Sequence, residues 1–177
     1  MVRMGELAVS ALGGGDLVSL GLGSCIGLAL LDRRAAVAGL AHVVLPALVG
    51  SDRAQPGKFA DTAVDALVAA MEPLGARRMR LEAVLVGGAS MFANASAGLD
   101  VGARNDAAVR AELAKQRIPV FAADTGGSRG RTVRVVLESG RVTSRAAGAP
   151  EAELCAGWRG HAAPIHPPAL ARGAVAR

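Results

Sequence analysis

Cys25 and His42 are the residues of this chain best suited to covalent chemistry. A thiolate is the strongest side-chain nucleophile near neutral pH once its pKa is lowered. A histidine beside it does this, as an ion-pair partner or as a general base. Cys25 follows a glycine turn, LGLGSC, and His42 lies seventeen residues on, in an apolar stretch that reads as the next strand. Two neighbouring strands can bring such a pair within hydrogen-bond reach. The flexible turn can aim N–H groups around Gly23, Ser24 and Cys25 at a developing oxyanion. Ser19, six residues before the cysteine, adds a hydroxyl.

The same residues also suit a packed interior. Free cysteines are among the most buried residue types, and a histidine in an apolar strand commonly fills core. Spacing by itself leaves both readings open. Other chemistries find less support. One Cys and one His lack further metal ligands, and His161 and His166 fall in the C-terminal tail, so no metal is expected. No Gly-Lys-Ser/Thr follows the glycine turn, so it is not a phosphate loop, and no dinucleotide pattern is present. No Gly-x-Ser-x-Gly elbow surrounds Ser24.

The elements that must position the pair are legible in outline. Residues 3–10 and Leu17 to Leu20 read as strands, separated by the Gly13-Gly14-Gly15-Asp16 turn. Ile26 to Leu31 is apolar throughout and is either a buried strand or a short helix capped by Ser24. In the helical case its N-terminal dipole would favour a thiolate. Val37 to Leu45 is a strand stopped by Pro46. Ala60, Ala63, Val64, Leu67, Val68 and Met71 form the apolar stripe of a helix, closed by Pro73 and Gly75. Val49 to Gly57 is a loop. Arg80 to Val86 is a strand with a tight exit at Gly87-Gly88. Met91 to Gly102 is irregular, and Ala103 to Arg117 is a second helix burying Val109 and Leu113. Pro119 to Ala123 is a strand, followed by an Asp124-Thr125-Gly126-Gly127 turn. Thr132 to Leu137 and Arg141 to Ser144 form a hairpin. Strands and helices intermix, so the fold class is α/β (α+β): a single-domain layered sandwich of mixed β-sheet with packed helices.

Length allows one packed domain, placed at residues 1–145. Residues 146–177 read as an Ala/Gly/Pro-rich disordered tail, with Cys155 and Trp158 loose in it. Removing the chain after Arg145 should then leave folding and catalysis nearly intact. The net charge is +5, but the arginines are scattered and the chain has three Phe, one Trp and no Tyr. Base stacking has little to work with, so a nucleic-acid partner is not expected. No signal peptide is visible, and the two uncharged runs, Leu17 to Leu31 and Ala35 to Gly50, are too short to span a membrane. Two distant cysteines make no disulfide framework, and a reducing cytoplasm suits a free thiol.

Seven stretches together resemble a known family, the CheD chemoreceptor glutamine deamidases. They are MGELAVS, LGLGSC, GLAHVVLP, KFADTAVDAL, VLVGGASMF, VGARNDAAVRAEL and DTGGSRGRTV, in the family's order and spacing from about Met4 to Arg145. The resemblance implies that Cys25 is the nucleophile, His42 the general base, and Ser19 the hydroxyl that orients it, where threonine is usual. It implies hydrolysis of receptor glutamine side chains to glutamate through a thioester, and also of glutamyl methyl esters, with no cofactor. It implies two partners: the cytoplasmic helices of methyl-accepting receptors and a CheC-type phosphatase docking over the active face. Gly87, Gly88, Thr125 and Gly126 would frame that face, with Arg129 and Arg131 available to acidic receptor surface. A different reading, a non-catalytic module that binds phosphatase or receptor, needs no intact Cys25, His42 and Ser19.

Overall fold

A computed structural model describes residues 1–48, 55–90, 100–158 and 175–176. Among these residues, ten strands and two α-helices follow in chain order. They are β1 (Leu7–Ala11), β2 (Leu17–Leu22), β3 (Ile26–Asp32), β4 (Val37–Val43), α1 (Ala60–Met71), β5 (Leu81–Gly87), α2 (Val101–Lys115), β6 (Val120–Thr125), β7 (Arg131–Val136), β8 (Arg141–Ala146), β9 (Ala152–Cys155) and β10 (Val175–Ala176).

The strands form two sheets. One has six strands in the order β10-β1-β4-β3-β5-β6, antiparallel except for the β5–β6 pair. The other has four antiparallel strands, β2-β7-β8-β9. The six-stranded sheet is the middle layer. Ile26, Leu28 and Leu30 of β3 pack under the helices with Val64, Leu67, Val109 and Leu113. Ala29 and Leu31 face the other way, onto Leu22, Val133, Val135 and Val142 of the smaller sheet. Both faces of β3 are therefore covered, which is why its sequence shows no apolar–polar alternation. The choice left open for Ile26 to Leu31 falls to strand, so no helix dipole acts on Cys25.

The α1 stripe buries the six residues that periodicity selects. Helix α2 begins two residues earlier than expected, because the Asp100 side chain accepts the Ala103 N–H as its cap. Asp32 ends β3 as a buried carboxylate. It accepts the N–H groups of Arg34, Ala35 and Arg77 and pairs with Arg80 at 2.7 Å. Burial opposes its charge, but the Arg80 bond and the backbone donors outweigh this and hold its pKa below the usual value.

Two expectations need correction. Residues 4–5 form a turn, so the first strand starts at Leu7. More consequentially, the segment after Ala146 is not a loose tail through Trp158. Strand β9 pairs with β8, Cys155 is buried, and Trp158 is 8 % exposed. Trp158 Nε1–H donates to the Leu137 carbonyl at 2.9 Å. Arg33 holds the segment from the six-stranded sheet, donating to the carbonyls of Ala156 and Gly157 and to the Cys155 sulfur. The same guanidinium pairs with Glu82 at 2.7 Å and lies 5.0 Å from the centre of the Phe121 ring. Composition concealed this, because one Trp supplies most of the packing. Most of the loop over Val49 to Gly57, the stretch Met91 to Leu99, and His161 and His166 lie outside the described residues.

Candidate active site

Strand β2 belongs to the smaller sheet and β3 to the larger, so the Gly23-Ser24-Cys25 turn crosses between layers. A bulge prepares the crossing. On β2 the pairs run Ser19 with Val133 and Leu22 with Arg131, one residue more on β2 than on β7. The extra residue lets both Ser19 and Leu22 face inward, while Leu20 and Gly21 bulge outward and are exposed. Gly21 takes the left-handed φ of 68° that the bulge requires.

All three carbonyls of the crossing turn are anchored. The Ala89 N–H donates to Gly23 at 2.7 Å and the Gly88 N–H to Cys25 at 2.9 Å. Asn105 Nδ2 of α2 donates to Ser24 at 2.9 Å. Gly87 makes the close approach possible: its φ is 117°, and a Cβ there would collide with the Cys25 carbonyl. The N–H groups of Ser24 and Cys25 have no acceptor among the described residues.

On β4, His42 stands opposite Gly27 of β3, two residues past Cys25. Cross-strand partners project to the same face, so His42 and Cys25 share the side of the large sheet that meets the small one. There His42 Nδ1 lies 2.8 Å from Ser19 Oγ. Ser19 Oγ also lies 3.0 Å from the Val2 carbonyl. A hydroxyl has one proton, and a carbonyl can only accept. Ser19 therefore donates to Val2 and accepts from His42, which puts the imidazole proton on Nδ1. The lone pair is left on Nε2, which is buried and has no hydrogen-bond partner among the described residues.

Burial sets both protonation states. It pushes the Cys25 thiol above its ordinary 9.0. It also lowers the His42 pKa below 6.5, against smaller opposing effects of the Val2 carbonyl and Glu6. Near neutral pH the pair is thiol and neutral imidazole, the general-base form of the two alternatives. His42 favours its neutral form in the fold, so its stabilising contribution is full above pH 6.5 and is lost as pH falls. Urea unfolding from about pH 8 to about pH 5 should show wild type losing stability below that value. A His42→Gln variant should lose correspondingly less, and equal slopes would remove His42 as the cause.

A model of the CheD chemotactic sensory transduction family matches residues 44–146, more than half of the chain. Similarity to individual relatives covers more of the chain. The chain is 48 % identical over 157 residues to the "Probable chemoreceptor glutamine deamidase CheD" of Symbiobacterium thermophilum, covering 86 % of this chain and 95 % of that one. It is 44 % identical over 151 residues to the "Chemoreceptor glutamine deamidase CheD" of Thermotoga maritima, covering 85 % and 94 %. The chain belongs to the CheD family.

The remaining residues of the CheD-family reading fall in two places. Gly87 and Gly88 lie directly behind the Cys25 carbonyl. Thr125 and Gly126 lie one strand over: Thr125 pairs with Gly87 in the parallel β5–β6 ladder, and the Gly126 N–H donates to the Gly87 carbonyl at 2.9 Å. Asp124 and Thr125 end β6, so the turn proper is Gly126-Gly127. Arg131 is engaged internally, pairing with Asp124 at 2.9 Å and donating to the Gly126 carbonyl. An open groove of about 540 Å³ runs beside Gly21, lined by Gly130, Thr132 and Arg145 among others. A larger open depression of about 710 Å³, between Arg77, Met79 and Arg117, includes none of the candidate residues.

Sequence reasoning missed Asn105. It is fully buried, and its Nδ2 also donates to the Val44 carbonyl at 2.9 Å. The signal was present: continuing the Val109, Leu113 stripe one turn back reaches position 105, where a polar residue on a buried face calls for partners.

Proposed function

We propose that this chain is a chemoreceptor glutamine deamidase, converting glutamine side chains on the cytoplasmic helices of methyl-accepting receptors to glutamate. The observation that carries the reading is the Ser19 hydroxyl. Its single proton goes to Val2, so His42 presents Nε2 as a base on the face it shares with Cys25. The family relationship supplies the substrate class.

As the Cys25 sulfur attacks the carboxamide carbon, His42 Nε2 takes the thiol proton. The oxyanion is held by the N–H groups of Ser24 and Cys25, beside Gly23. Nε2–H then protonates the departing nitrogen, and ammonia leaves a glutamyl thioester. Nε2 next deprotonates a water that attacks the thioester, and glutamate and the free thiol are regenerated. A glutamyl methyl ester would enter the same acyl-enzyme, releasing methanol instead. No step calls for a metal or an organic cofactor. Among the described residues no helix is long and apolar enough to cross a membrane. The proposal puts the reaction in the cytoplasm, where the named receptor helices lie and where a reducing environment suits free thiols. Leu20 and Gly21 lie exposed beside Ser19, and a receptor helix or a CheC-type phosphatase would meet this rim, with Thr125 and Gly126 partly exposed further out; Gly87 and Gly88, expected to frame that face, are buried and back the turn instead.

Intact-mass spectrometry of a receptor cytoplasmic fragment tests this. Each event should add about one dalton and release one ammonia, as amide becomes acid by thiol acyl chemistry. An unchanged receptor mass after long incubation with wild type would overturn the proposal.

A further inference from the structure

Asn105 is buried on α2, on the far side of the large sheet from the Ser19–His42 bond, and none of the steps above uses it. We infer that it is a positioning residue for the proposed acyl chemistry, fixing the peptide whose N–H receives the oxyanion. The inference rests on the deamidase reading for its physiological substrate, but not for its test.

In a trans peptide the carbonyl and the N–H point in opposite directions, and no cis bond occurs among the described residues. Asn105 Nδ2 holds the Ser24 carbonyl toward α2 at 2.9 Å. The N–H of the same peptide belongs to Cys25. It is therefore turned away from α2, toward the side on which the thiol packs with Leu22 and Val133. The flanking carbonyls of Gly23 and Cys25 are held by backbone donors from residues 88 and 89, which no side-chain change removes. Among the described residues, Asn105 is thus the one side chain that fixes the rotation of the turn's central peptide. Without that bond the plane can tilt through ψ of Ser24 and φ of Cys25, and even a partial tilt swings the Cys25 N–H away from the direction Asn105 gives it.

The second Nδ2 hydrogen extends the effect. It donates to the Val44 carbonyl, two residues past His42. One amide group thereby joins the turn bearing the nucleophile to the strand end bearing the base. Asn105 Oδ1 is buried without a hydrogen-bond partner among the described residues. An unsatisfied amide oxygen costs stability, and leucine would fill such a helix position without that cost. The donors, not the packing, explain an amide here.

The test separates reactions that need an oxyanion donor from one that does not. Acylation of Cys25 by p-nitrophenyl acetate passes through a tetrahedral oxyanion, whereas alkylation by iodoacetamide is a direct displacement at carbon. Full-length wild type, Asn105→Ala, Asn105→Asp and a packing control, Val109→Ala, are compared below their melting temperatures. We expect the p-nitrophenolate burst rate to fall about 10- to 100-fold in both Asn105 variants, less than the roughly 100- to 1000-fold for outright loss of one oxyanion donor because the Cys25 N–H is misdirected and not removed. The iodoacetamide rate should stay within about threefold of wild type, a change under 1 kcal/mol in barrier. Val109→Ala, destabilised without touching the turn, should keep both rates. Equal burst rates in wild type and Asn105 variants would overturn the inference, as would a parallel fall in both reactions or absence of a wild-type burst. Failure of the deamidase reading shows separately, as no ammonia from a receptor fragment despite a Cys25-dependent burst.

Discussion

Cys25→Ala should release no ammonia from receptor, with turnover at least about 10⁴-fold below wild type, because the Ser19 hydroxyl beside His42 gives its proton to Val2 and faces Nδ1, not the basic Nε2. His42→Ala should come within about tenfold of the same loss. The two residues act as a unit here for a reason specific to this site. Burial raises the thiol above 9.0, so at pH 7 fewer than about one cysteine in a hundred would be thiolate without help. Many cysteine sites ionise the thiol beforehand by a helix N-terminus. Here β3 takes that position, which leaves the Nε2 lone pair of His42 to remove the proton. Neither change should unfold the chain. Removing the Cys25 sulfur costs about 1 kcal/mol, roughly 2–4 °C in a domain of this size. Ammonia release and melting temperature on the same preparations check both parts. Full activity in Cys25→Ala would remove the proposed nucleophile.

Ending the chain after Arg145 should lower the melting temperature by roughly 10 °C, contrary to what composition implies. The lost segment carries β9, buried Cys155 and Trp158, and the three Arg33 bonds. Trp→Ala in a packed site costs about 3–5 kcal/mol, and truncation also exposes Leu137 and Val142 beneath it. Ordering the segment offsets part of this. Trp158→Ala in the full chain isolates the packing contribution and should account for at least half of the shift. Because β9 lies at the edge farthest from β2, the remaining activity at low temperature should be close to normal. Differential scanning calorimetry of the three forms decides the matter. Coincident transitions would mean that the segment rests on the domain without supporting it.

What could be read in advance follows from local pattern strength. Helix α1 was legible because six residues repeat one spacing over three turns. The hairpin of β7 and β8 was legible from Ser139-Gly140 between two β-branched runs. Strand β3 was ambiguous because burial on both faces erases period. Cys25 and His42 stood out by residue type, but Ser19 was one serine among several until the family motif picked it out. Its contact with His42 depends on two sheets meeting, and no local spacing encodes that. Asn105 and Trp158 escaped for opposite reasons. Asn105 is polar in a largely polar helix, so its buried position left no apolar mark. Trp158 is a single large residue in a run of small ones, where averaged composition hides it.

Ser19 and His42 are attached to different layers, and a single 2.8 Å hydrogen bond joins them. Turnover is consequently a gauge of how one sheet sits on the other. A substitution at Leu17 or Val135 that slides the small sheet by an ångström would keep every strand and both helices, yet leave the imidazole free to rotate. Such a protein would look folded by circular dichroism and still be inactive. Sensitivity to mutation in this enzyme therefore extends along the whole seam between the layers, to side chains that never meet a substrate.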